Sequence, residues 1–103
     1  MKKYRNIPTI VDGIRFDSKK EAKRYSELKI LKAAGQIDRL QLQEAFNICV
    51  KNFHICKYIA DFVYTEKKTG QRIVEDVKGV KTDVYKLKKR LMLAVHNISI
   101  TEV

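Results

Sequence analysis

The chain has 103 residues, of which 45% are hydrophobic and 33% are charged, a composition that fits one small soluble domain. It carries 22 lysine and arginine residues against 12 aspartate and glutamate residues, giving a net charge of +10. This excess favours a nucleic-acid partner, because cationic side chains release counterions from the phosphate backbone. No run approaches the roughly 20 apolar residues of a membrane span, and the amino terminus lacks the apolar stretch of a signal peptide. We therefore expect one cytoplasmic domain over residues 1–103.

A short hairpin and a helix are the first predicted elements. Thr9 to Phe16 is interpreted as a hairpin around Asp12-Gly13, a dipeptide that tolerates positive φ in a tight turn. Ser18 and Glu21 then form a capping box, which predicts a helix from Ser18 to about Ala34. Its core-facing stripe is predicted from helical spacing and comprises Ala22, Tyr25, Leu28, Leu31 and Ala34.

Three strands are predicted after this helix. Leu40 to about Val50 shows mixed alternation typical of a strand, and Lys51 to Lys57 is interpreted as a short turn or loop. The stretch from Tyr58 to Gly79 predicts a second hairpin. Two runs rich in Val, Ile, Phe and Tyr flank the polar segment Lys67 to Gly70, which has the composition of a turn.

A second helix is predicted from Thr82, a capping residue, to about Val95. Ile98, Ile100 and Val103 indicate a last strand. The core order αβββαβ, preceded by the small hairpin, predicts an α/β domain with a mixed sheet. The apolar stripe of the second helix, expected to face the core, comprises Val84, Leu87, Leu91 and Val95.

Two aspartates of the central hairpin are predicted to lie opposite each other. If Lys67 to Gly70 forms the loop, Asp61 falls opposite Asp76. Opposed residues have Cβ atoms roughly 4.5–5.5 Å apart, and like charges placed so are destabilising unless a divalent cation joins them. Lys78 shares the face of Asp76. Two alternatives stay open: a weak surface pair between Asp76 and Lys78, and a slip of one residue that separates the aspartates. The expected apolar neighbours on this face are Ile59, Val63 and Val74.

Three segments carry a resemblance to a known family. They are VDGIRFDSKKEAKRYSELKIL, IADFVY and VEDVKGVKTDVYKLKKRL. A helix glutamate followed by ADF and EDVKG resembles a family of short phage proteins in the PD-(D/E)XK nuclease superfamily, whose fold is that of restriction endonucleases and Holliday junction resolvases. The resemblance covers the chain from about Tyr4 to Ile100. It departs from the superfamily's signature at Ala60, which stands where the proline of the name would be.

The resemblance implies a metal centre and a role for each of its residues. It implies that Asp61, Asp76 and the Val77 carbonyl hold Mg²⁺ or Mn²⁺, which polarises the scissile phosphate. Lys78 would stabilise the developing charge or orient the attacking water. Glu21 matches an acidic residue of the family's first helix that adds a carboxylate to the site. Its alternative role is to cap its own helix, because it occupies the third helical position of the capping box.

Further residues were considered for DNA and for zinc. Gln43 matches a polar position on the family's first core strand, where it either supports the site by hydrogen bonding or points to solvent. Cys49 and Cys56, even with the histidines, match no usual zinc spacing, so we expect reduced thiols that are buried or half-buried. Basic residues of the second helix would bind DNA phosphates; they are Lys81, Lys86, Lys89 and Arg90.

The predicted function is that of a phage-encoded, Mg²⁺-dependent DNA endonuclease acting in the cytoplasm of a bacterial host. We expect a preference for branched or flapped DNA, because no base-reading motif is present. One small domain offers one site, so a homodimer is expected where both strands are cut. Two alternatives stay open. One is a non-catalytic DNA-binding accessory protein on a nuclease fold, and the other is a phage factor that binds a host protein.

Overall fold

The computed structural model describes residues 7–77 and 80–103, which form a mixed α+β domain, as predicted. Lys78 therefore lies outside the described residues. A two-stranded sheet of β1 and β2 precedes a four-stranded sheet in the order β3-β4-β5-β6. In chain order the elements are β1 (Thr9–Val11), β2 (Ile14–Phe16), α1 (Lys19–Ala33), β3 (Ile37–Val50), β4 (Phe53–Glu66), β5 (Arg72–Asp76), α2 (Asp83–His96) and β6 (Thr101–Glu102).

The hairpin of β1 and β2 and the start of α1 form as the sequence predicts. Asp12 and Gly13 both have positive φ, as the tight turn between β1 and β2 requires. The Ser18 hydroxyl caps α1 by accepting a hydrogen bond of 3.1 Å from the Glu21 amide. The predicted stripe is buried at Ala22, Tyr25 and Leu28. It was wrong at Ala34, which is exposed because it is the residue that ends the helix.

Strands β3 and β4 form one long hairpin, and here the prediction of a loop from Lys51 to Lys57 was wrong. The turn consists of Lys51 and Asn52 alone, both with positive φ, and Phe53 already pairs with Val50. In the structure, most of residues 53–57 are exposed on both faces of the strand, which explains why their sequence was interpreted as a loop. The half-buried alternation that identifies a strand is therefore missing from this segment.

The register predicted for β4 and β5 is confirmed. Phe62 pairs with Glu75 and Val63 with Val74, so Asp61 and Asp76 occupy the next positions along the ladder. Two backbone hydrogen bonds of 2.8 Å close the turn at Glu66. The last strand, β6, runs parallel to β5 and pairs Asp76 with Glu102.

The two helices cover different parts of the sheet, and the change between them falls at Asp61. Tyr58 and Ala60 pack in the cluster that contains Tyr85 and Met92 of α2. Phe62 and Tyr64 pack instead in the cluster that contains Tyr25 and Leu28 of α1. These four β4 residues are all even-numbered, so regular alternation would place them on one side. The even-numbered residues of β4 therefore face one side of the sheet before Asp61 and the other side after it.

Gln43 of β3 lies at the same level as this switch. The pairs Leu42 with Phe62 and Glu44 with Ala60 flank the position where Gln43 and Asp61 face each other. The backbone of Gln43 has a φ of +53°, in the left-handed region that costs a non-glycine residue on the order of 1–2 kcal/mol. This conformation lies within the continuous strand β3, at the level where β4 changes sides.

The apolar stripe predicted for α2 was wrong about which residues are buried. The helix begins after Thr82 and ends at Asn97, whose φ of 57° terminates it in the left-handed conformation. Val84 is 62% exposed and Leu87 is 56% exposed, whereas Tyr85 and Met92 are buried. The apolar surface of α2 includes both the exposed and the buried residues of this comparison. The helix places Tyr85 and Met92 against β3 and β4. Of the apolar neighbours expected around Asp61, Val63 and Val74 are buried and Ile59 is exposed.

No helix in residues 7–77 and 80–103 combines the length and the apolar character that crossing a bilayer requires.

Replacing Gln43 with glycine tests the left-handed backbone, with Gln43→Ala as the matched control. Both variants lose the side-chain hydrogen bonds of Gln43, but only glycine removes the Cβ atom that disfavours positive φ. We expect Gln43→Gly to be about 1 kcal/mol more stable than Gln43→Ala in urea unfolding. At Gln41, which lies outside the set of positive-φ residues, glycine should instead be about 0.5–1 kcal/mol less stable than alanine. A Gln43→Ala variant that is more stable than Gln43→Gly would contradict the assigned conformation.

Candidate metal centre

Three carboxylates from three different elements lie close together where the sheet switches sides. Glu21 lies in the first turn of α1, Asp61 in the middle of β4 and Asp76 at the end of β5. Glu21 is 7% exposed and Asp76 is 2% exposed, while Asp61 is half-buried. Acidic side chains are seldom buried without a compensating partner, so the hydrogen bonds around this group decide what it can do.

Gln43 connects two of the carboxylates. Its Nε2 atom donates to Glu21 Oε1 over 3.2 Å and to Asp61 Oδ1 over 3.3 Å. The left-handed backbone of Gln43 thus coincides with a side chain that bridges two acids. Strained backbone in non-glycine residues is concentrated at functional sites, where the surrounding structure holds it. Glu21 therefore contributes its side chain to the carboxylate group as well as its amide to the helix cap.

The other two contacts hold Asp61 and Asp76 from behind. The Val77 amide donates to Asp61 Oδ2 over 2.8 Å, which ties the end of β5 to β4. The Tyr58 hydroxyl donates to Asp76 Oδ2 over 2.5 Å. Burial, followed by this hydrogen bond, raises the pKa of Tyr58 far above its ordinary value, so the phenol stays a neutral donor.

Burial and neighbouring charges raise the affinity of Asp61 and Glu21 for protons. Burial is the largest cause that raises the pKa of Asp61 to about 7, and the nearby charges of Asp76 and Glu21 add to the rise. The hydrogen bond from Val77 opposes it. Burial also raises the pKa of Glu21, with a smaller contribution from Asp76. Near neutral pH the group therefore holds negative charge that its surroundings do not fully compensate.

A buried ion pair on the other side of β5 fixes the strand that carries Asp76. Arg24 of α1 donates from Nε to Glu75 Oε1 over 2.9 Å and from Nη2 to Oε2 over 2.6 Å. The Tyr64 hydroxyl also donates to Glu75, which is 1% exposed. A two-pronged contact of this kind restricts the carboxylate in both position and direction. Arg24 and Glu75 therefore anchor α1 to β5 one residue before Asp76.

The structure brings together Glu21, Gln43, Asp61 and Asp76, four of the residues that the sequence nominated. The Val77 amide also contacts the group. The cysteines are free, and Cys49 is exposed, contrary to the prediction of a buried or half-buried thiol. The nominated basic residues line a separate cavity beside α2; they are Lys81, Lys86, Lys89 and Arg90.

Sequence reasoning missed Tyr58 and Tyr85, two phenols next to the carboxylates. Tyr58 donates to Asp76. Burial, followed by the hydrogen bond to Glu102, raises the pKa of Tyr85, and the charges of Asp76 and Asp61 add to the rise. Both residues read as ordinary core aromatics, and no spacing in the sequence distinguishes them. The register of β4 and β5 gave an indirect signal, because Tyr58 lies on the strand beside Asp76.

The carboxylate oxygens of this group are the type of ligand that a hard divalent cation prefers. Mg²⁺ and Mn²⁺ take carboxylate oxygens from one or two residues together with water and phosphate. Within residues 7–77 and 80–103, no group of three or more His, Cys, Asp or Glu side chains is already arranged to hold a metal ion. Gln43 accounts for part of this, because its amide joins the oxygens of Glu21 and Asp61 that a cation would join.

The domain is thus an α+β protein with a strained, carboxylate-lined centre between two hydrophobic clusters. The chain belongs to a family described as a protein of unknown function (DUF1064), whose model matches residues 1–101. Neither the curated proteins nor the solved structures include a significant match to this chain.

The raised pKa of Asp61 predicts a specific pH dependence of stability. The folded protein binds a proton at Asp61 that the unfolded chain releases near pH 4, so stability falls as pH rises from about 4 to 7. In Asp61→Asn this loss is removed. In EDTA, we expect the free energy of unfolding of the variant to exceed that of the wild type by about 1–3 kcal/mol at pH 8 and by little at pH 4.5.

Urea unfolding at a series of pH values measures this difference. Glu44→Gln is the control. Glu44 lies one residue from Gln43, but its side chain forms no hydrogen bond or ion pair within the described residues. Its stability should follow the wild-type curve. Parallel curves for Asp61→Asn and the wild type would show that Asp61 titrates normally.

Proposed function

We propose that this protein is a metal-dependent endodeoxyribonuclease that hydrolyses phosphodiester bonds. The observation that supports it best is the meeting of Glu21, Asp61 and Asp76 at a strained position of the sheet. Burial and neighbouring charges raise the pKa of Asp61 and of Glu21, which reduces stability at neutral pH, and a purely structural domain gains nothing from such a group. A divalent cation would relieve this repulsion, and the +10 charge of the chain suits a phosphate-rich substrate.

The proposed metal ligands are Asp61, Asp76, Glu21 and the Val77 carbonyl. When bound, Mg²⁺ or Mn²⁺ supplies Lewis-acid polarisation of the phosphate and activation of the attacking water. For Gln43 we propose a positioning role: its amide holds Glu21 and Asp61 at a fixed separation before the cation arrives. Tyr58 directs Asp76 by donating a hydrogen bond to one of its carboxylate oxygens.

Lys78 is proposed to stabilise the charge that develops on the phosphate, or to orient the attacking water. In the sequence it follows Val77, whose amide donates a hydrogen bond to Asp61. The preferred substrates are proposed to be branched or flapped DNA. The protein would act in the cytoplasm of a bacterial host, as a homodimer where both strands are cut.

A second function is a DNA-binding accessory protein that does not cleave. One observation favours it: the Gln43 amide already joins the oxygens of Glu21 and Asp61 that a cation would join. The basic cavity beside α2 would support DNA binding in both cases. The two functions therefore differ in cleavage and not in affinity for DNA.

A cleavage assay distinguishes these functions. The protein is incubated with labelled linear, flapped and four-way-junction DNA in the presence of Mg²⁺ or Mn²⁺. We expect cutting that requires the metal and that falls by about 10²–10³-fold in Asp76→Asn and in Lys78→Ala, because each removes an interaction made in the transition state. Glu44→Gln, which removes an acid from the same sheet, should cut at the wild-type rate.

Binding of the same DNA is measured in parallel, because both variants must bind for their rates to be compared. Wild-type protein that binds every substrate and cuts none would exclude the nuclease and leave the accessory protein. Cutting that persists in Asp76→Asn would assign the activity to a contaminant or to a different site.

A further inference from the structure

A cavity beside α2 combines a cationic rim with an apolar floor. Its volume is about 340 Å³, within the range of pockets that take small organic ligands. The floor is formed by Leu93 and by the buried ring of Tyr85. Glu102 of β6 contributes one wall. The rim consists of four basic side chains, those of Lys81, Lys86, Lys89 and Arg90.

The cavity already binds one anionic group of the chain itself. The Glu102 carboxylate accepts a hydrogen bond of 2.7 Å from the Tyr85 hydroxyl and pairs with Lys81 at 2.9 Å and with Lys89 at 3.2 Å. These contacts, led by that of Lys81, lower the pKa of Glu102 to about 2. Lys86 and Arg90 form no ion pair within residues 7–77 and 80–103, so their charge is available to a second anion.

The cavity adjoins the carboxylate centre. Glu102 pairs with Asp76 in the ladder of β5 and β6, and the Val103 amide donates to the Asp76 carbonyl over 3.1 Å. Neighbouring strands lie about 4.8 Å apart, so a ligand against Glu102 is one strand away from Asp76. A DNA strand that passes the carboxylates would therefore reach this cavity within a nucleotide or two.

Duplex DNA would make little use of the apolar floor. A duplex presents phosphates to the protein and keeps the faces of its bases stacked inside, whereas an unpaired nucleotide presents a phosphate and a flat apolar ring together. Leu93 is 52% exposed on this floor, beside cations that suit the phosphate.

We propose that this cavity is a subsite for one unpaired nucleotide of a DNA strand, with its phosphate at Lys86 and Arg90 and its base over Leu93. The inference rests on the proposed function in taking DNA as the ligand, and it narrows the substrate class to DNA that contains a single-stranded segment.

Binding in EDTA tests this subsite without any cleavage. The probes are a labelled oligothymidylate, an abasic strand of the same length and a blunt duplex, each measured by fluorescence anisotropy at one salt concentration. We expect Leu93→Ser to weaken binding of the oligothymidylate about fivefold, because it removes the apolar surface that the base would cover. Binding of the abasic strand and of the duplex should stay unchanged, because both lack an unpaired base.

Two control variants remove a similar amount of apolar surface at positions outside the cavity. Leu87→Ser removes a leucine that is 56% exposed on another face of α2, and Ile30→Ser removes an exposed isoleucine from α1. Both should bind all three probes as the wild type does. Arg90→Gln should weaken all three probes alike, because it removes a phosphate contact.

Equal weakening of all three probes in Leu93→Ser, or no weakening of any, would overturn the subsite. These results are independent of catalysis. A base-dependent effect in a protein that never cleaves would leave the subsite in place and exclude the nuclease. Cleavage without a base-dependent effect would leave the nuclease and exclude the subsite.

Discussion

Mutual repulsion among Glu21, Asp61 and Asp76 is the constraint around which the domain is arranged. Each acid comes from a different element, and neutral donors hold them: the amides of Gln43 and Val77 and the hydroxyl of Tyr58. Neutral donors satisfy the oxygens without removing the charge, so the protein tolerates the group rather than neutralising it. By contrast, Glu75, next to Asp76, is fully paired with Arg24. Adjacent acids on one strand thus differ in their contacts: Glu75 anchors β5 to α1, and Asp76 lies in the carboxylate centre.

Much of the architecture could be predicted because its signals are local. The Ser18 cap, the Asp12-Gly13 turn and the loop from Lys67 to Gly70 each follow from a few neighbouring residues. The last of these also determined the register that places Asp61 beside Asp76, since side chains repeat every two residues along a strand. A short-range turn therefore determined a contact between residues fifteen positions apart in the sequence.

The errors arose where burial depends on distant parts of the chain. Phe53 to Lys57 has no buried face, so nothing in its pattern distinguishes a protruding strand from a loop. On α2, helical spacing identified the apolar surface but not the part of it that meets the sheet, and Val84 and Leu87 were wrongly assigned to the core. The left-handed backbone of Gln43 had no sequence signal, because glycine or asparagine would be the usual residue there. The glutamine is retained at a cost in stability where its side chain contacts two acids.

The switch of sides at Asp61 also affects how the domain unfolds. It divides the interior into one cluster with α1 and another with α2, and β4 passes through both. Such clusters are natural units of partial unfolding, each able to open with its own free energy. Glu21 belongs to the half with α1, while Asp76 is bonded to Tyr58 in the other half. A ligand that joined these carboxylates would act as a cross-link between the halves, so that binding would turn two weakly coupled units into one cooperative unit.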